Sequence, residues 1–202
     1  MQIRFRSLLA VALMAHPLIF SSPAVAGWKL VPAQAPQTLN GLTVIPAVDW
    51  NLSSAKPGKQ GQLWTRDGAA LNALELFAGV PDGQPLYRER NRKLNPLPRF
   101  ERSMLAPDLA DFFERSFRAS RKLSDFRVEQ VVPSRLGAQP GVLVRYAYTL
   151  PNDDLARRGE ARLVVAGGQL HAINFHAPAL HYFDAGIPDV RAMAEAARIA
   201  SR

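Results

Sequence analysis

The chain has 202 residues, with 25 lysines and arginines against 17 aspartates and glutamates, 48% hydrophobic content and no cysteine. That balance suits one ordinary globular domain and excludes a disordered chain. The missing cysteine excludes disulfides, thiolate metal sites, a thiol nucleophile and a lipid-modified N-terminal cysteine.

Arg4 and Arg6 precede the apolar run 8–14, and Ala24-Val25-Ala26 supplies small residues where a signal peptidase needs them. A secretory signal peptide is therefore expected over 1–26. His16 and Pro17 interrupt the apolar stretch, which falls short of the roughly 20 residues a membrane-spanning helix needs. No transmembrane helix is expected after cleavage. Only Arg4 and Arg6 leave with the leader, so the exported part stays basic. A periplasmic or secreted bacterial protein follows, whose core rests on apolar burial alone.

Residues 27–40 are Pro- and Ala-rich without periodicity and read as an N-terminal tether before a single domain over 41–202. Residues 42–46 read as a strand and Trp50-Asn51 as an extended piece. Lys56-Pro57-Gly58-Lys59 is turn chemistry within a loop over 53–61. Segments 62–65 and 71–80 flank Arg66-Asp67-Gly68, a hairpin signal. Residues 84–103 have no period and form a basic loop. Ala106-Pro107-Asp108 then opens a helix over 106–120, with Leu109, Phe112, Phe113 and Phe117 on one stripe facing the core. Strands follow at 126–133 and 141–150; in the second, Val142, Val144, Tyr146 and Tyr148 share one face. Segments 160–165 and 169–177 flank the Gly167-Gly168 turn, and a last helix is expected over 188–200. Hairpin-joined strands with helices between and after predict the α+β class, an antiparallel β-sheet covered by helices.

The stretch Gly141-Val142-Leu143-Val144-Arg145-Tyr146, then Arg158-Gly159-Glu160-Ala161, Gly168-Gln169-Leu170-His171, Ala177-Pro178 and a closing helix resembles the second half of PsbP-like (Mog-type) domains. Trp50-Asn51, Trp64-Thr65-Arg66-Asp67-Gly68, Gly83-Gln84-Pro85-Leu86 and Ala179-Leu180-His181-Tyr182-Phe183 also resemble a group of uncharacterised exported bacterial proteins and lipoproteins. This chain lacks the anchoring cysteine of the lipoprotein members. The resemblance implies a PsbP-like α+β sandwich that serves as an accessory or binding module without shared catalytic residues.

The most distinctive chemistry is the loop 87–102, where Tyr87 and Phe100 accompany Arg88, Arg90, Arg92, Lys93, Arg99 and Arg102. Forked guanidinium donors grip phosphate or carboxylate. An anionic envelope component or a protein partner is the expected ligand, against a solvated loop kept soluble by charge as the alternative. Export argues against nucleic acid. Trp50, Trp64, His176, His181 and Tyr182 are either core or the lining of a groove. A small periplasmic hydrolase or metal-dependent enzyme using His176, His181 and Asp184 is the second hypothesis. Against it, strand alternation separates His171 from His176, and two histidines are too few for a zinc site. Ser103 with His181 and Asp184 lacks the Gly-x-Ser-x-Gly elbow, and Asp153-Asp154 reads as an exposed turn. The glycines fit neither a P-loop nor a dinucleotide fingerprint, so no cofactor and no metal are expected.

Overall fold

The structure, a computed structural model, describes residues 27–200; the expected signal peptide over 1–26 lies outside the described residues. The chain opens on four short strands, β1 (Lys29–Val31), β2 (Gln37–Leu39), β3 (Leu42–Val44) and β4 (Trp50–Leu52). The expected tether over 27–40 thus contributes to two sheets. Strands of three residues are too short to display a period, and what holds β1 is its pairing with β4, Val31 opposite Trp50.

Next come β5 (Gly61–Thr65) and β6 (Ala73–Val80), the two arms of the expected hairpin. After them stand α1 (Ala106–Arg121), β7 (Phe126–Leu136), β8 (Gln139–Leu150), β9 (Asp153–Ala166), β10 (Gln169–Pro178), α2 (Tyr182–Glu195) and β11 (Arg198–Ile199). Eight strands form one antiparallel sheet in the order β1-β4-β5-β6-β10-β9-β8-β7, and β11-β3-β2 form a second, smaller one. The α+β class read from the sequence is the observed one.

Both faces of the large sheet are buried. Val142, Val144, Tyr146, Ala161, Leu163, Leu170 and Ala172 face α1, where Leu109, Phe112, Phe113 and Phe117 meet them. Leu74, Leu76, Ile173 and Phe175 face α2 and the small sheet, packing with Phe183, Ile187, Val190 and Met193. In β6 a bulge lies opposite Leu170 and Ala172, and Gly79 next to it has φ +69°. The extra residue returns Val80 to the α1 side with Phe77.

Helix α1 begins and ends as its sequence signals require. Leu105 N–H donates to Asp108 Oδ2 at 3.0 Å, Pro107 occupies the first turn, and Arg118 and Arg121 sit in the last turn, against the negative end of the dipole. Lys122 adopts φ +55° and closes the helix.

Beyond the tether, α2, β11 and β9 differ from expectation, β11 being a strand inside the stretch 188–200 expected to be helical. Helix α2 spans Tyr182–Glu195 rather than 188–200, and Pro188 lies inside it. Proline normally starts a helix, but here its ring is exposed while the apolar stripe from Phe183 to Ala194 packs on the sheet, and that burial outweighs one missing hydrogen bond. Strand β9 starts at Asp153 rather than 160: the tight turn is Pro151-Asn152, with Asn152 at φ +62°, and Asp153 Oδ2 accepts from Arg157 Nη2 at 3.0 Å. No helix among the described residues is long and apolar enough to cross a membrane.

Candidate functional site

The arginine loop is not a loose appendage. Leu86, Tyr87, Leu97 and Phe100 are buried in the core beneath α1 and pin residues 84–102 across that layer. Gly83 N–H donates to Phe100 O at 2.8 Å and Phe100 N–H to Gln84 O at 2.9 Å, closing the two ends on each other. Between them Glu89 turns inward, its carboxylate accepting from Leu97 N–H at 3.0 Å and from Arg99 Nη2 at 2.7 and 2.9 Å. The Leu97 amide bond, and Arg99 after it, hold the Glu89 carboxyl below its ordinary range. With Glu89 anchored inward, its neighbours Arg88 and Arg90 are exposed.

A second loop, 53–61, lies against the first. Arg88 N–H donates to Pro57 O at 2.8 Å, and Gly58 sits so near Leu86 that a Cβ at position 58 would come within 2.1 Å of its carbonyl oxygen. Only glycine permits that approach. The two loops enclose an open cleft with two adjoining lobes. One is lined by Lys56, Arg88 and Arg90 above Glu75, Ser120 and Arg121; the other by Lys56, Arg88, Lys59, Arg92 and Arg99. Lys56, Tyr87, Arg88 and Glu89 belong to both lobes; Lys56 and Arg88 supply the charge of the ridge between them, and the Glu89 carboxylate there is paired with Arg99.

Two of the cations here are already neutralised, Arg99 by Glu89 and Arg121 by Glu75. Lys56, Lys59, Arg88, Arg90 and Arg92 are exposed and have no ion-pair partner among the described residues. Unpaired like charges lining one cleft raise its positive potential, so an entering anion gains from each of them.

Under the first lobe lies a buried polar network. Glu75 is 3% exposed, and its carboxylate receives Arg121 Nη2 at 2.5 Å, Tyr87 O–H at 2.7 Å and Asn174 Nδ2 at 2.9 Å. Burial alone would raise this carboxyl, but the Arg121 charge beside it prevails and holds it well below the usual carboxylate range. Asn174 Oδ1 accepts from Tyr146 O–H at 2.7 Å. Arg121 also approaches His176 Nε2 at 3.2 Å and stacks over the Phe117 ring with 3.9 Å to its centroid. A guanidinium only donates, so Nε2 is the acceptor and Nδ1 carries the proton, donating to the Tyr148 oxygen at 2.8 Å. Burial pushes His176 below the ordinary imidazole value; Glu75 opposes this and Arg121 adds to it. Burial pushes Tyr148 up to about 12, so the phenol stays protonated. Every strong acid or base here is satisfied inside the protein, which leaves the network a support for Arg121 and Tyr87 at the cleft floor.

Of the residues picked from sequence, Arg88, Arg90 and Arg92 line the cleft and Arg99 is spent on Glu89. Lys93 and Arg102 are exposed outside it, and Arg102 N–H donates to Asp82 at 2.8 Å. Lys56 and Lys59 were legible only as turn residues, and Arg121 falls one residue past the expected helix.

The structure does not bring the expected groove residues together. Trp50 and Trp64 are core on the α2 side at 0% and 1% exposure. His176 faces α1, whereas His181 and the half-buried Tyr182 share a small pocket with Trp50 and Phe175 on the other side of the sheet. Asp184 is exposed, 3.9 Å from Arg158. His176, His181 and Asp184 therefore do not converge, and among the described residues no three His, Asp or Glu side chains gather as a metal-binding group.

No protein-family model matches the chain, and no curated protein matches it in sequence. Among solved structures it resembles the cyanobacterial PsbP (CyanoP) of Synechocystis sp. PCC 6803, with a TM-score of 0.53 at 12% identity over 92% of this chain and 100% of that one. It also resembles LpqN, a protein involved in cell envelope biogenesis of Mycobacterium tuberculosis, with a TM-score of 0.35 at 9% identity over 90% of this chain and 87% of that one. The chain has a PsbP-like fold.

Proposed function

We propose that this protein is an exported, non-enzymatic accessory or binding domain of the bacterial cell envelope that holds an anionic envelope component in its basic cleft. One observation carries the reading: five cations without an ion-pair partner among the described residues, drawn from two loops, surround one cleft whose backbone is pinned by Glu89 and by the Arg88–Pro57 hydrogen bond. The N-terminal residues Arg4 to Ala26, with the pattern of a secretory leader, support export, and export favours lipid head groups, envelope polysaccharide or an acidic envelope protein over nucleic acid. The buried and internally satisfied state of His176 and Glu75 speaks for holding rather than transforming a ligand.

Affinity capture from envelope extracts tests this. The wild-type protein is expected to retain an anionic component that elutes with salt. The variant with Arg88, Arg90, Arg92 and Lys93 replaced by serine is expected to lose it. Equal recovery by both proteins would remove the cleft from the account.

A further inference from the structure

We infer that the cleft takes a ligand carrying two linked phosphate groups, which meet on Lys56 and Arg88 and reach one towards the cations of each lobe. The inference rests on the binding reading above and concerns the class of ligand. Its first support is shape: the two lobes adjoin, share Lys56 and Arg88 together with Tyr87 and the Arg99-paired Glu89, and are closed off by different cations, Arg90 in one and Lys59 with Arg92 in the other. A single small anion would occupy one lobe and leave the other's charge uncompensated.

The second support is charge. A phosphate monoester carries about 1.5 to 2 negative charges near neutral pH and accepts through three oxygens. Two such groups match the five unpaired cations, while one carboxylate per lobe leaves most of them repelling one another. Arg88, Arg90 and Arg92 supply forked donors for bidentate contacts to phosphate, and Lys56 and Lys59 add point charges. At the floor of the first lobe Arg121 is held by Glu75, so it shapes that lobe without adding free charge.

Isothermal titration with inorganic pyrophosphate, orthophosphate and citrate tests the inference, citrate serving as a carboxylate anion of similar charge. Pyrophosphate is expected to bind at least about tenfold tighter than orthophosphate or citrate, one added charge-assisted contact sufficing for that factor. Arg90→Ser, and Lys59→Ser with Arg92→Ser, are each expected to bring pyrophosphate down towards orthophosphate while orthophosphate itself changes little. All these side chains are exposed, so unchanged thermal melting checks the fold. Pyrophosphate binding no tighter than orthophosphate, or citrate matching it, would overturn the two-phosphate assignment. Salt-sensitive capture through the arginines would survive that result, so the two failures are distinguishable. Phosphatidylcholine vesicles doped with a lipid that ends in a diphosphate identify the source. Recruitment that free pyrophosphate reverses assigns the ligand to a lipid head group, and tight pyrophosphate binding without recruitment assigns it to a soluble phosphate. Neither recruitment nor tight binding would refute the inference.

Discussion

Glu75 and Arg121 face each other in the layer between β6, β10 and α1, Glu75 buried and Arg121 reaching the cleft floor, and each makes the other tolerable there. His176 shares that layer under a different constraint: burial keeps it neutral when folded, whereas the unfolded chain titrates near pH 6.5. Its folded pKa is depressed, so its contribution is complete above about pH 6.5 and is lost on acidification towards the folded value, with a slope of up to about 1.4 kcal/mol per pH unit. Glu75 is depressed too, so its contribution is complete above the ordinary carboxylate pKa of about 4.3 and is lost only in stronger acid. Urea unfolding across pH checks both. The wild type is expected to lose stability in two steps, and His176→Asn to lack the first. Glu75→Gln is expected to cost about 3–5 kcal/mol at neutral pH by stranding the Arg121 charge. A Glu75→Gln loss within about 1 kcal/mol would mean that water already reaches the pair.

At the scale of elements, the loop 84–102 owes its shape to Glu89, whose carboxylate fixes Leu97 N–H and Arg99 together. Hydrogen exchange on Glu89→Gln is expected to show faster exchange at Leu97 and its neighbours while amides of β8 and β9 keep wild-type protection. Uniform protection in both proteins would make the buried apolar residues of the loop its sole anchor. Much at this scale was readable from the sequence. The stripe of α1 and the alternation of β8 are local patterns, and a local period survives in a linear string. Pro188 misplaced α2 because its tolerance depends on a sheet face made by residues distant in sequence. The cleft divides the same way: the arginines announced themselves by type, but Lys56 and Lys59 become partners only through the Arg88–Pro57 contact, which joins segments about thirty residues apart. Glu75 was hidden because a lone acid inside an apolar strand carries no sign of the Arg121 opposite it.

At the scale of the whole molecule, a doubly covered antiparallel sheet supplies rigidity, and the basic cleft is set into the layer that α1 and its preceding loop lay over it. The other layer, with α2 and the small sheet, buries Trp50 and Trp64 as core. Basic side chains also stand elsewhere, among them Arg127, Arg135 and Arg158, so net charge alone would let an anion bind anywhere on the surface. A built cleft instead confines the anion to one place. The most direct measurement is a titration of the isotope-labelled protein with inorganic pyrophosphate, followed by amide resonances. Shifts confined to 53–61, 84–102 and the Ser120-Arg121 helix end, abolished in the Lys56→Ser, Arg88→Ser variant, are the predicted result. Shifts scattered over the basic surface, or centred on Trp50, His181 and Tyr182, would contradict it.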